Sequence, residues 1–257
     1  MVDAGARLLS LINQQVADGI SVVLDFEWPN ESMGYLNRAG FFRLLPSDVE
    51  VRPARPDDTL VTALMGNSST LVEFRAIAPD KRDTYDVPRT LSATLKEATR
   101  GRADARLLNN ATFTILAELI DNIYQHSQTR LDGYAALQVY AGAGKACVVV
   151  SDSGVGLLNT LEPALFRIAP DLVGQPEAQV IKRMFEHGLS RLGMPRGSGL
   201  QSCAHYAAQC RATIHLHLAT CALIVSSSGN VSLAPKASCQ DRVPLYGTHF
   251  CVTIPLD

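Results

Sequence analysis

Three things are missing from this chain, and each absence removes a class of protein. No apolar run approaches the ~18 residues that a membrane-spanning helix needs, and the short Leu8–Ile12 stretch meets Asn13, Gln14 and Gln15 too soon to be an export signal. There is no surplus of positive charge: 23 Lys and Arg against 25 Asp and Glu leave a formal net charge of -2, so no broad basic field is available to neutralise phosphates and no nucleic-acid partner is expected. There is no C-x-x-C pair. The six cysteines (147, 203, 210, 221, 239 and 251) are scattered along 257 residues, which points away from a secreted disulfide framework and toward reduced thiols in a cytoplasmic protein. Cys203, His205, Cys210, His215 and His217 lie near one another in sequence, but their spacing fits no standard zinc pattern. What is present is a globular composition, 47% apolar and 19% charged, in a chain long enough for a sizeable core.

Hydrophobic periodicity divides the chain at about residue 86. Before it, Leu8, Leu9, Ile12 and Val16 predict a helix ended by Gly19, residues 20–26 a buried strand, 32–45 a second helix, and 49–52 and 71–77 further strands, which together make a small α/β unit over 1–86. The polar stretch 79–86 reads as a linker. After it, residues 87–257 read as helices layered on a mixed, largely antiparallel sheet, so that the whole is of the α+β class. Helices are expected at about 88–99, 105–126 and 199–209, and strands at about 135–141, 145–151, 212–219, 221–227 and 248–254. Alternation in 212–219 puts Ile214 and Leu216 on one face and His215 and His217 on a solvated one. Gly142-Ala143-Gly144-Lys145 looks like the tail of a P-loop, but position 139 is Val where the motif requires Gly, and a hairpin turn explains it better.

Four segments carry chemistry. In the helix 105–126, with Phe113, Leu116, Ile120 and Ile123 as its core stripe, Glu118 and Asn122 project from one face a turn apart. A carboxylate and a carboxamide so placed suit a hydrated Mg²⁺; they equally suit the wet side of an amphipathic helix. The strand ending at Val150 runs into Ser151-Asp152-Ser153-Gly154-Val155-Gly156, which leaves a carboxylate at a sheet edge followed by two glycines that permit close backbone approach, or else forms an ordinary turn. Residues 188–200 form a basic, glycine-rich loop feeding a helix whose first amides can hold phosphate oxygens. Gly247-Thr248-His249-Phe250 opens the last strand.

In this order, E-L-I-D-N-I-Y-Q-H-S, D-S-G-V-G, R-G-S-G-L and G-T-H-F resemble the ATP-binding domain of the GHKL superfamily, which takes in gyrase, the histidine kinases and the anti-sigma serine kinases. The resemblance spans about residues 88–257 and implies a Bergerat-type α/β sandwich that binds ATP and Mg²⁺. It implies that Glu118 is the general base, Asn122 the magnesium ligand and Asp152 the acceptor for the adenine amino group. Gly154 and Gly156 would make room for adenine, Gly197 and Gly199 would lie beside the phosphates, and Thr248 would support the adenine contact. Residues 157–196 would be a lid. Gln125 stands where many histidine kinases have Lys or Arg, and Arg191 or Arg196 could supply the missing cation or be plain loop arginines.

No histidine precedes His126, so self-phosphorylation on a sensor-type helix is not expected, and with no residue after Asp257 neither is a transducer domain. Two functions remain open: a slow ATPase or a kinase acting on a separate protein, and a non-catalytic ATP-operated switch. Either implies a protein partner and allows a homo-oligomer. Val22–Phe26 running into a helix resembles somewhat the STAS-type domains of bacterial regulators; a packing extension of the ATP domain is the alternative.

Overall fold

The computed structural model describes residues 1–27, 31–57, 68–81, 86–189, 199–234 and 245–257. Its centre is a seven-stranded antiparallel sheet built from Leu71–Ile77 (β3), Gly133–Tyr140 (β4), Lys145–Ser151 (β5), Thr213–His217 (β6), Ala222–Val225 (β7), Val231–Leu233 (β8) and His249–Pro255 (β9), in the order β3-β4-β5-β9-β6-β7-β8. The fold is α+β, as the periodicity predicts.

Both faces of this sheet are covered, which is why its central strands read as nearly continuous apolar runs. Val148 and Val150 point into the larger core and Val149 into the smaller one, as period-two alternation requires. On the front face lie the helices Asp86–Ala98 (α3), Ala105–His126 (α4) and Gly199–Gln209 (α7). The buried stripe of α4 runs through Leu108, Ile115, Leu116, Leu119, Ile120 and Ile123; Phe113, expected in it, is only half-buried. The tight turn at Ala141–Ala143, closed by Gly144 at φ +54°, makes the β4–β5 hairpin.

The back face is covered by the N-terminal residues. The helix Val2–Ala17 (α1) lies across β4 and β5, and a Cβ at its Gly5 would stand 2.7 Å from the ring of Phe74 on β3. Beside it, Val23–Asp25 (β1) pairs in parallel with Glu50–Arg52 (β2). The single helix expected over 32–45 is instead two pieces, Glu31–Arg38 (α2) and a 3-10 turn at Phe41–Leu44, because Gly40 takes the left-handed conformation between them (φ +74°). The strand expected over 20–26 is shorter, only β1. Strand β3, read from sequence with the N-terminal unit, is the edge of the large sheet, paired with β4 from Leu71↔Gln138 to Ile77↔Gly133.

The span expected to be a lid holds two helices, Leu157–Ile168 (α5) and Glu177–His187 (α6), around a small core of Leu161, Leu165, Leu172 and Val180. No described helix is long and apolar enough to cross a membrane.

Candidate functional site

The C-terminal end of α4 and the turn after β5 are joined directly. The Val155 amide donates to the Ser127 carbonyl at 2.9 Å, and Gly154 packs so tightly on Ser127 that a Cβ there would lie 2.4 Å from the same carbonyl oxygen. Any other residue at 154 would push the turn off the helix. The glycine thus makes room for protein backbone, whereas a Cβ at Gly156, at φ +84°, would be in ordinary contact with the Gly247 carbonyl oxygen at 3.9 Å.

The same turn is tied to the start of β9. The Asp152 amide donates to the Thr248 carbonyl at 3.0 Å, and a Cβ at Gly247 would stand 2.0 Å from the Asp152 carbonyl oxygen. Asp152 is buried, with Oδ1 accepting from the Gly154 amide at 2.7 Å. Burial pushes its carboxyl up to about 6, and the hydrogen bonds from Gly154 and Thr248 work against that rise.

Asn122, Asp152, Gly156 and Thr248 line one cavity together. Its other walls are Leu119, Val150, Leu157 and Phe250, apolar, with His126 and Ser127 at the end of α4. The result is an apolar slot with a carboxylate at one edge and a carboxamide at another, a combination suited to a flat ring that offers an N–H donor. The slot is narrow. Its volume is about 10 Å³, room for about one water.

Glu118 stands outside this lining, one turn back along α4 toward α7. Its Oε2 lies 2.7 Å from where a Cβ at Gly199 would be, so the glycine that opens α7 gives the carboxylate its space. Burial first, and Asp121 second, raise its pKa above the usual glutamate range. The thiol of Cys203, next along α7, is likewise raised, by burial and then by Glu118. Arg191, Arg196 and Gly197 lie outside the described residues.

Two contributors were not foreseen in the sequence. In the sequence Gly247 is only the lead-in to Thr248, yet a Cβ there would meet the Asp152 carbonyl oxygen at 2.0 Å. The polar face of α1, described below, reaches the site from behind; Ser10, Asn13 and Gln14 recur at helical spacing, but polar residues on an N-terminal helix ordinarily face solvent. No protein-family model matches the chain, and no curated protein matches it either.

Proposed function

We propose that this slot binds the adenine of Mg-ATP, as the resemblance to the GHKL superfamily implies, and that the protein is a signalling or regulatory ATP-binding protein. The observation that carries the reading is the shared cavity: Asp152, a buried carboxylate held by the Gly154 amide, opens onto the same apolar slot as Asn122 on α4. A carboxylate there accepts the adenine amino N–H, and the apolar walls take the ring faces. Asn122 offers an oxygen donor of the kind a hard cation prefers. A magnesium ion held there would offset the charge on the phosphates. Glu118, one turn back along α4 and raised in pKa by burial, is the candidate general base for attack on the γ-phosphate. Arg191, Arg196, Gly197 and Gly199 belong to the same reading as the phosphate side.

The narrowness of the slot favours a second element, an ATP-operated switch. Ligand pockets are typically ~300 Å³ or more, so admitting adenine requires the slot of about 10 Å³ to widen. Leu157 opens α5 and walls the slot, and Gly156 precedes it at a left-handed φ, so the widening moves the start of α5. ATP would then favour one arrangement of α5 and α6 over another, with hydrolysis secondary.

The test is retention of ATP by purified protein with Mg²⁺, measured by calorimetry, with Asp152→Asn in parallel. Retention by the unaltered protein and its loss in the variant are expected; failure of the unaltered protein to bind would overturn the proposal. Single-turnover assays with labelled ATP then separate an enzyme, which releases phosphate or labels a partner, from a switch.

A further inference from the structure

Directly behind Asp152, on the opposite face of the sheet, lies a row of polar side chains that the nucleotide reading does not use. The pairings Tyr134↔Ser151, Ser151↔His249 and His249↔His217 set these residues side by side across β4, β5, β9 and β6. A polar row on the inner face of a buried sheet needs partners, and α1 supplies them. Asn13 Nδ2 donates to the Tyr134 hydroxyl at 2.6 Å, and Ser10 Oγ lies 2.8 Å from Ser151 Oγ. Ser151 Oγ in turn lies 2.5 Å from His249 Nδ1, and His249 Nε2 lies 3.0 Å from the Tyr246 carbonyl. One proton arrangement satisfies the chain: Nε2–H donates to Tyr246, and Nδ1 accepts from Ser151, which accepts from Ser10. Burial holds the imidazole neutral, its pKa lowered to about 4.

Gln14 completes the connection. Its Nε2 donates to the Tyr246 carbonyl at 2.9 Å and its Oε1 accepts the Tyr246 amide at 3.0 Å, so one side chain clamps both backbone groups of a residue 232 positions away. Tyr246 is followed by Gly247, which presses on the Asp152 carbonyl, and then by Thr248, whose carbonyl takes the Asp152 amide. Ser10 and Gln14 are both buried, and each ends one residue from the carboxylate or its support.

We propose that α1 is a positioning element for the adenine end of the site: Gln14 and Ser10 fix the Tyr246–Thr248 and Ser151–Asp152 backbones from behind the sheet, so that seating or lifting α1 sets the affinity for adenine nucleotides. The proposal rests on the ATP reading and adds its regulation. Coupling of this kind runs both ways, and ATP would steady α1 to the same degree that α1 steadies ATP.

Gln14→Met keeps length and packing but removes both hydrogen bonds. In the full-length protein the variant is expected to bind Mg-ATP about tenfold more weakly, a change of ~1.4 kcal/mol, while its affinity for inorganic tripolyphosphate with Mg²⁺ is unchanged. Without nucleotide, amide hydrogen exchange at Tyr246 and Asp152 should quicken, and ATP should slow exchange in α1 of the unaltered protein. Ser10→Ala, which leaves the Gln14 clamp intact, should give a smaller loss in the same direction. If Gln14→Met holds ATP as tightly as the unaltered protein while Asp152→Asn does not, the proposal fails and the ATP reading stands. Equal weakening toward tripolyphosphate marks a general loosening and also overturns it. If the unaltered protein retains no ATP, both fall together.

Discussion

Gly247 and Asp152 meet backbone to backbone: the Asp152 carbonyl oxygen occupies the place, 2.0 Å away, that a side chain at 247 would need. Gly247 also sits at φ +95°, where a Cβ is strained whatever the space. Gly247→Ala is therefore expected to lower stability by about 3 kcal/mol, from overpacking and strain together, and to remove ATP retention by parting Asp152 from Thr248. Gly142→Ala, in the β4–β5 turn with nothing within 4 Å, is the control and should shift stability by less than ~0.5 kcal/mol. Denaturant midpoints of the two variants decide the matter.

On the proposed reading, Asp152 sets nucleotide binding against stability. Its folded pKa of about 6 lies above the ordinary aspartate value of 3.8, so the folded state binds the proton more tightly, and ionisation of this group costs stability as pH rises from about 4 through about 6. Asp152→Asn should therefore raise the Tm at neutral pH by a few degrees, ~1 kcal/mol corresponding to roughly 2–4 °C at this size, while abolishing ATP retention. In the unaltered protein, retention should fall as pH drops through about 6, because protonation removes the acceptor for the adenine amino group.

His249 contributes the opposite slope. Its folded pKa of about 4 lies below the ordinary histidine value of 6.5, so the unfolded state takes up the proton first and stability falls as pH drops from about 6.5 toward 4. The two effects oppose each other over nearly the same window. In Asp152→Asn only the histidine effect remains, and thermal melts at pH steps between 6.5 and 4 should show a steeper acid loss than the unaltered protein. Equal slopes would mean that Asp152 is ionised without cost in the fold.

Glu118→Gln separates chemistry from binding. The carboxamide fits beside Gly199 without change of volume but cannot take a proton, so turnover should drop at least a hundredfold while ATP affinity stays within about twofold. With the carboxyl raised by burial, turnover in the unaltered protein should also decline on acidification at a pH above the ordinary glutamate range. A variant that still turns over at the unaltered rate would remove Glu118 from the reaction.

The parts of this molecule that were legible in the sequence are those specified locally. Helix α4 ends at His126, as its stripe predicts, and α7 spans Gly199–Gln209. The strands around Val148 and Ile214 follow from runs of β-branched and alternating residues. The short elements escaped: β8 is three residues long, and α5 carries Pro163 within it, which disguises a helix. Pairing partners escaped as well. Nothing in Leu71–Ile77 says that it will bond to a strand some sixty residues on, because that choice is made by the open edge of β4. In the site, the Asp-x-Gly-x-Gly turn was visible because its glycines answer to local geometry. Gln14 was not, since its partner lies at the other end of the chain.

Strand β3 lies in sequence between the N-terminal layer that covers the far side of the sheet and the six other strands of that sheet. A fragment beginning at residue 87 would leave β4 as a bare edge and lay open the apolar surface that carries Ala136, Val149 and Cys251, both of which invite aggregation. The first third of this protein is therefore not exchangeable for an unrelated module as a tethered sensor is. A fusion joined at that point is expected to yield insoluble product.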